Sequence, residues 1–266
     1  MTKIFAEKYV TDSTSTLHPK PERGRVSTGY RPLDEALHGG YPEGYAVLLS
    51  SPSFDERDLL LRRFLESDAD TGLTIHLTRD FERVADLAAA HRNNFYVVVC
   101  NSSESVPEMR NVVQTPTCDD LCSVNIAISS LLQRAEPHLT DRCPRKLVVE
   151  LISDVLMSRG AATTRNWLLD MIARIKARRF TVLGVLNPRM HPPEEAQAIF
   201  ELFDGHISME EREADAGTRK LAQIRKMYAC GYDPHDVELD REDLMRQLNP
   251  ETHRNPIPRA SRPVHR

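Results

Sequence analysis

The stretch "AVLLSSPSFDERDLLLRRFLE", Ala46 to Glu66, combines a buried strand, a tight turn and a helix. "AVLLS" is a continuous apolar run, and "DLLLRRFLE" carries apolar residues at helical spacing. A strand, tight turn and helix form a phosphate-binding site when glycines and a lysine fill the turn. Here the turn leads into "FDERD", Phe54 to Asp58, which contains three acids and no glycine.

Strand-like apolar runs alternate with amphipathic helices along the rest of the chain. The strand candidates include "LTIHLT", "NFYVVVC", "KLVVELIS" and "FTVLGVLN", and the helix candidates include "DFERVADLAAAHR" and "TTRNWLLDMIARIKARR". Continuous apolar strands separated by helices predict an α/β fold with a mostly parallel sheet covered by helices on both faces. The later stretch "RKLAQIRKMYACGYDPHDVELD" predicts one or two further strands that form a hairpin at the sheet edge.

This alternation predicts one domain over residues 25–245. Residues 1–24 are polar and predict a loosely held N-terminal arm. Residues 246–266 are rich in proline and arginine, and their composition predicts a disordered C-terminal tail.

The composition is that of an ordinary soluble globular protein. The chain has 266 residues, 40% of them hydrophobic and 28% charged, with a formal net charge of -4. This charge provides no global field that would attract nucleic acid or anionic lipid. No apolar run is long enough for a membrane helix and the N-terminus lacks the apolar core of a secretory signal, so we expect a cytoplasmic protein.

The cysteines form no recognisable metal or disulfide pattern. They are five in number, and none is part of a CxxC pair. We therefore expect reduced thiols and no metal site.

A motif at Arg25 to Gly44 carries the first family resemblance. It reads "RVSTGYRPLDEALHGGYPEG" and resembles the R-V-x-T-G-x-x-x-L-D-x-x-L-G-G-G-x-P-x-G segment of the KaiC and archaeal recombinase-like branch of the RecA superfamily. His38 is the one departure, standing where a glycine is usual. "KLVVELIS" resembles the family's Walker B strand, and "FDGHISME" and "TRKLAQIRKMYACGYDP" resemble its last strands. The resemblance covers about residues 25–240.

The resemblance implies a RecA-like P-loop NTPase core, and relatives of this branch commonly assemble into hexameric rings or filaments. Active relatives carry G-x-x-x-x-G-K-[ST] in the turn, because backbone N–H groups, a lysine and a hydroxyl hold the phosphates and magnesium. The four marker positions here are Ser51, Glu56, Arg57 and Asp58, and none matches. The Walker A motif is therefore degenerate.

Charge disfavours a phosphate at this turn. A carboxylate about 4 Å from a phosphate charge costs roughly 4 kcal/mol at an effective dielectric near 20. The helix N-terminus returns at most about 1 to 2 kcal/mol to a bound anion. We therefore predict that the acids of "FDERD" cap their own helix in place of a phosphate.

Two further positions support loss of nucleotide chemistry. By resemblance the Walker B acid is Glu150, which is one methylene longer than the usual aspartate and has no P-loop hydroxyl with which to share magnesium. Relatives usually carry two glutamates after the second strand, where this chain has Thr78 and Arg79. The nearby acids Asp80 and Glu82 could replace them only if the strand end shifts.

Other conspicuous residues have simpler explanations. His76 lies inside an apolar strand and is predicted to be a hydrogen-bonded core histidine. Trp167 and its neighbours Leu168, Leu169, Ile172 and Ile175 are predicted to form the apolar, core-facing side of a helix.

Three functions remain open at this point. The first is a non-catalytic regulatory or scaffold subunit, for example in signal transduction, that binds a protein partner or an active RecA-family relative, forms oligomers and uses no cofactor. The second is an ATPase that holds ATP and magnesium through Arg57, Glu150 and residues of a neighbouring subunit. The third is a recombinase mediator that binds single-stranded DNA, although no basic and aromatic cluster in the core supports nucleic-acid binding.

Overall fold

The computed structural model of the chain describes residues 24–103, 105–140, 143–214 and 217–248. The predicted N-terminal arm up to residue 23 and the predicted disordered tail from residue 249 lie outside these residues. The last described helix is Arg241–Leu248, so the boundary predicted after residue 245 falls inside it.

The helices are α1 (Arg31–Ala36), α2 (Asp55–Glu66), α3 (Ala85–Ala90), α4 (Leu121–Ala135), α5 (Ile152–Lys176), α6 (Pro193–Phe200) and α7 (Arg241–Leu248). The strands are β1 (Arg25–Val26), β2 (Tyr41–Pro42), β3 (Ala46–Ser50), β4 (Leu73–Thr78), β5 (Phe95–Cys100), β6 (Val112–Thr115), β7 (Arg145–Val149), β8 (Thr181–Leu186), β9 (Gly205–Ala214), β10 (Gly217–Met227) and β11 (Val237–Glu238). Short 3-10 turns cover Glu82–Val84, Glu136–His138 and Pro188–Met190.

The described strands form a nine-stranded sheet in the order β11-β10-β9-β3-β8-β7-β4-β5-β6 and a small β1-β2 pair. From β9 to β6 all neighbours are parallel. The strands β10 and β11 continue the sheet antiparallel to their neighbours. The predicted mostly parallel sheet and its hairpin edge are both confirmed.

Helices cover both faces of this sheet, as predicted. Successive residues of β3 alternate between two cores, with Val47 and Leu49 in one and Ala46 and Leu48 in the other. The first core is completed by α1, α2, α3 and α7, and the second by α4, α5 and α6. Strands buried on both faces are the reason that the sequence shows continuous apolar runs. None of the described helices has both the length and the apolar character needed to cross a membrane.

Asp34 organises the N-terminal motif. Its carboxylate accepts hydrogen bonds from the Ser27 hydroxyl at 2.6 Å and from the Thr28 backbone N–H at 2.7 Å. Gly29 has a positive φ of 78°, and a Cβ there would lie 2.3 Å from the carbonyl oxygen of Arg63 in α2. The Tyr30 hydroxyl donates to the backbone oxygen of Glu238 at 2.9 Å. The motif thus joins α2 to the far edge of the sheet.

His38 has a left-handed backbone conformation, which glycine adopts more readily than other residues. Its φ is 53°, in the left-handed region that strains residues with a Cβ. Its ring lies 3.2 Å from Asp233 Oδ1 on an exposed surface. His38 therefore occupies a left-handed backbone position at a cost in strain.

Three sequence-based expectations need correction or extension. The short strand β6 was not anticipated. The stretch "KLVVELIS", predicted as a strand, ends its strand at Val149, and α5 begins within it at Ile152, with non-helical angles at Gly160. Trp167 is buried as predicted, but Leu169 is 47% exposed and is not part of the core. It is adjacent to the apolar side of α5 without facing the sheet.

Lys146 is a fully buried cation beneath the C-terminus of α2. Its ammonium donates hydrogen bonds to the carbonyl oxygens of Phe64 and Ser67 and to the Ser67 hydroxyl, and lies 3.4 Å from Asp68. Burial lowers the pKa of Lys146 to about 8, although the Asp68 carboxylate opposes this shift. The ammonium donates to carbonyl oxygens at the end of α2 that would otherwise be buried without a hydrogen-bond donor.

We expect His38→Gly to be more stable than His38→Ala by about 1 kcal/mol. Both variants lose the exposed pair with Asp233, but glycine adopts the positive φ without strain. Urea unfolding of both proteins measures the difference. Equal midpoints would show that residue 38 carries no backbone strain.

The buried Lys146 should make stability depend on pH in the alkaline range. Its ordinary pKa is 10.5 and its folded pKa is about 8, so between these values the unfolded chain binds a proton that the native protein releases. Stability contributed by this residue must therefore rise with pH across that window. Relative to Lys146→Met, the wild type should gain on the order of 2 kcal/mol between these limits.

Urea unfolding of both proteins at several pH values tests this. Tyrosine and cysteine titrations occur in both proteins and cancel in the difference. If the free energy of unfolding of the wild type minus that of Lys146→Met stays constant or falls with rising pH, burial does not lower the pKa of Lys146.

Candidate functional site

The turn between β3 and α2, residues 51–54, has no backbone cradle for an anion. Among residues 45–67 none has a positive φ. A nest of N–H groups needs a residue in the left-handed conformation, which glycine normally supplies. Ser51, at the first marker position, is fully buried, and its hydroxyl donates to the carbonyl oxygen of Pro52 at 2.7 Å.

The other three marker residues, Glu56, Arg57 and Asp58, lie inside α2, which begins at Asp55. The acids do occupy its first turn, where the helix dipole favours them. The capping prediction is nevertheless wrong for the described residues, because Phe54 is the N-cap and makes no side-chain cap hydrogen bond. Two of the three acids form ion pairs instead, Asp55 with Arg241 and Asp58 with Arg57 and Arg83.

Arg57 is folded back onto its own loop. Its guanidinium donates twice to Asp58 Oδ1, at 2.8 and 2.6 Å, and once to the Ser53 hydroxyl at 3.1 Å. Only 14% of the side chain is exposed. A lysine at this position in relatives reaches toward phosphates, whereas this arginine satisfies an adjacent carboxylate.

Glu150 lies just beyond β7, beside the end of β4. The His76 Nε2 donates to Glu150 Oε1 at 2.7 Å, and the Arg83 guanidinium lies 3.7 Å from Oε2. Burial by itself raises the pKa of Glu150, but the hydrogen bond and charge of His76, with Arg83 and Arg57, outweigh it and hold the pKa below its ordinary value. His76 is buried and hydrogen-bonded as predicted, with Nδ1 lacking a partner among the described residues.

Arg83 lies between Asp58 of α2 and Glu150 just beyond β7. It lies 3.0 Å from Asp58 and 3.7 Å from Glu150. Burial lowers its pKa, but the charges of Glu150 and Asp58 reverse the effect, so the guanidinium is firmly charged. Arg83 was missed from the sequence, where its only signal is a cation shortly after the second strand, in "DFERV".

Two other elements close over the turn. The Lys220 ammonium of β10 lies 5.0 Å from the centroid of the Phe54 ring and also pairs with Glu211. Arg241 of α7 pairs with Asp55 at 2.7 Å. The start of α2 is therefore neutralised by cations from its own loop and from distant segments.

The position of the family's paired glutamates holds no carboxylate pair. The Thr78 hydroxyl contacts the backbone oxygen of Asp80 at 3.4 Å, and Arg79 pairs with Asp154 at 2.5 Å. The Asp80 carboxylate accepts from the backbone N–H of Arg83 at 3.4 Å, and Glu82 is exposed. The contacts described for Glu150 are with His76 and Arg83, and neither acid is among them.

A serine and a histidine meet directly before the turn. Ser50 Oγ lies 2.7 Å from His206 Nε2. Burial, helped by the charges of Arg225 and Lys226, lowers the pKa of His206 to about 4. A histidine with this pKa is a weak base at neutral pH, and no described carboxylate orients it, so the pair is a link between β3 and β9 rather than a nucleophilic dyad.

The described residues offer no alternative metal centre. No group of three or more His, Cys, Asp or Glu side chains among them is arranged to hold a metal ion. All five cysteines are free, and Cys100 and Cys118 are buried.

Comparison with known proteins identifies the fold. No protein-family profile and no curated protein matches the sequence. Among solved structures, the chain is similar to the KaiC-like protein PH0186 from the hyperthermophilic archaeon Pyrococcus horikoshii OT3, with a TM-score of 0.60 and 18% sequence identity. The match covers 80% of this chain and 93% of the other. It confirms the predicted RecA-like α/β core.

We expect Glu150→Gln to lower stability at neutral pH by about 1 kcal/mol or more, because Arg83 and His76 lose a charged partner. The folded pKa of Glu150 lies below its ordinary value of 4.5. Its contribution is therefore present above that value and is lost as pH falls through the folded pKa. The gap between wild type and Glu150→Gln should shrink in acid.

Urea midpoints from neutral pH down to the acid limit of folding measure this gap. Glu82→Gln, an exposed change after the neighbouring strand, is the control and should stay within about 0.5 kcal/mol of wild type. A gap that is absent or constant with pH would rule out a charged Glu150 as a stabilising partner.

Proposed function

We propose that this protein is a non-catalytic member of the RecA-like fold that acts as a regulatory or scaffold subunit through contacts with other proteins, in a signalling role. The observation that carries the proposal is the ion-paired cluster where relatives hold phosphate and magnesium. Arg57, Asp58, Arg83 and Glu150 satisfy one another there. A nucleotide would have to break these contacts before it could bind.

The energetics of the cluster support this proposal. Removing one partner from a partly buried ion pair leaves a charge without compensation, which costs about 1–3 kcal/mol. A phosphate that displaced Arg57 and Arg83 from Asp58 would also face this unpaired carboxylate, a repulsion of roughly 4 kcal/mol at an effective dielectric near 20. The turn has no left-handed residue that would turn N–H groups toward an anion. Each term opposes nucleotide binding.

The fold itself provides a reason for the protein to persist without that chemistry. Proteins of the family that the sequence resembles commonly use a large surface to bind neighbouring subunits in rings or filaments. The similarity to a KaiC-like protein supports, by analogy, a role in binding other proteins. Loss of the phosphate site leaves those surfaces in place. A regulatory or scaffold subunit uses them alone.

Thermal unfolding with and without millimolar ATP or ADP and magnesium tests the proposal. We expect no change in Tm with either nucleotide. A ligand at 100 times its Kd would add about 2.7 kcal/mol of stability, which corresponds to several degrees for a domain of this size. An ATPase with an intact G-x-x-x-x-G-K-[ST] loop, measured in parallel, serves as the positive control.

The rival ATPase function makes the opposite prediction. A rise in Tm that requires magnesium and disappears in Arg57→Ala or Glu150→Ala would place a nucleotide at this cluster and overturn the proposal. Measurement of phosphate release would then follow. A rise that survives both substitutions would indicate a nucleotide site elsewhere and would equally end the claim that the protein works without one.

A further inference from the structure

A groove lies between α4 and α5, on the sheet face opposite α2. It consists of two adjoining cavities of about 310 and 470 Å³ that share Ser129, Gln133 and Arg174. Cavities of this size lie in the range of ordinary ligand and peptide sites. The groove is separate from the ion-paired cluster at the start of α2.

Apolar side chains form the base of the groove. Ile128 and Ile175 are buried beneath it, and Leu132 and Leu139 are partly buried along it. Ile126, at the second cavity, is 65% exposed. An apolar strip of this kind, open to solvent, favours a ligand that brings apolar groups of its own.

Two arginines line the groove, Arg174 and Arg178, and Arg145 lies beside them; none of the three forms an ion pair with a described residue. Arg174 donates to the amide oxygen of Asn125 at 3.0 Å, and Arg178 contacts the backbone oxygen of Arg174. Arg145 donates to the backbone oxygens of Arg178 and Thr140 at 2.7 and 3.1 Å. These acceptors are all neutral.

Helix capping explains part of this arrangement but not its charge. Cations at the end of α5 interact favourably with the helix dipole, which is equivalent to about half a negative charge. Glu136 is the one acid among the residues that line the groove. The two lining arginines, against Glu136 and the dipole, leave an excess of about half a positive charge. Arg145, which is bonded to the Arg178 backbone beside the groove, adds one further charge.

The opposite face of the sheet shows the contrast. There the arginines of α2 and its neighbours are paired with carboxylates, as Arg57, Arg62, Arg83 and Arg241 illustrate. Arginines without a carboxylate partner are therefore a feature of the groove and not of the protein surface around α2.

We propose that the α4–α5 groove binds an acidic segment of a partner protein that also carries two or more large apolar side chains. The apolar groups would cover Leu132 and Leu139, and the carboxylates would pair with Arg145, Arg174 and Arg178. This inference rests on the proposed function and supplies the chemistry of the partner. Single-stranded nucleic acid fits less well, because the residues that line the groove include no aromatic ring on which a base could stack.

Selection from a random peptide library displayed on phage tests the inference with defined probes. Peptides enriched against the full chain should contain excess Asp and Glu together with Leu, Ile or Phe. Synthetic copies, measured by fluorescence anisotropy, should bind at least tenfold more weakly to Arg174→Glu/Arg178→Glu, and their affinity should fall with added salt.

The matched control is Arg92→Glu/Arg189→Glu, which changes the net charge equally at exposed arginines outside the groove. It should bind the peptides within about twofold of wild type. If the charge-reversed groove variant fails to fold, as judged by its Tm, Arg174→Gln/Arg178→Gln replaces it. The inference is overturned if no acidic, apolar peptide is enriched, if binding survives the groove substitutions, or if an unstructured DNA oligonucleotide binds the groove more tightly than any peptide.

Failure of this inference and failure of the proposed function give different results. A nucleotide-dependent rise in Tm removes the proposed function whether or not peptides bind. If no peptide binds and nucleotide leaves Tm unchanged, only the inference about the groove is overturned. The two measurements use the same purified protein.

Discussion

The arrangement around the start of α2 depends on ion pairs between carboxylates and arginines from several parts of the chain. Like charges gathered at a partly buried helix end repel one another, and each would be costly without a partner. The acids and their partners are Asp55 with Arg241, Asp58 with Arg57 and Arg83, and Glu150 with Arg83 and His76. Together they bring α7, the turn after β4 and the end of β7 against one helix.

The frame around this cluster does not depend on a nucleotide. Asp34 fixes the backbone of Ser27 and Thr28, and Gly29 lets that backbone approach Arg63 in α2. These contacts are made within the protein and persist whatever occupies the neighbouring turn. The N-terminal motif can therefore hold this backbone arrangement whichever residues occupy positions 51–58.

Local patterns determined most of what could be predicted from the sequence. The buried parallel strands are continuous apolar runs, and the stretch that contains β10 and β11 alternates, so the parallel strands and the hairpin edge were both predictable. Strand β6 was not predicted because Val112–Thr115 is a short edge strand with an exposed Gln114. Leu169 was misassigned because the angular limits of an apolar helix face are not fixed by spacing alone.

The site itself was predictable only in part. Ser51, Glu56, Arg57, Asp58 and Glu150 could be located by their spacing, but what their side chains contact could not. Capping was the expected role for the acids because it needs only local residues. The contacts that formed instead join Asp55 to Arg241 and Asp58 to Arg83, and no sequence pattern specifies pairs so far apart.

The distribution of charge separates the two faces of the sheet. Around α2 the side chains of Arg57, Arg62, Arg83 and Arg241 each have a carboxylate partner, so their charges are compensated locally. Around α4 and α5 the arginines contact carbonyl and amide oxygens, which orient a guanidinium without neutralising it. Orientation without neutralisation keeps a charge ready for an external anion and reduces the side-chain entropy lost when that anion binds. The charges around α2 are therefore compensated within the chain, and the face formed by α4 and α5 is the one on which we propose that a partner binds.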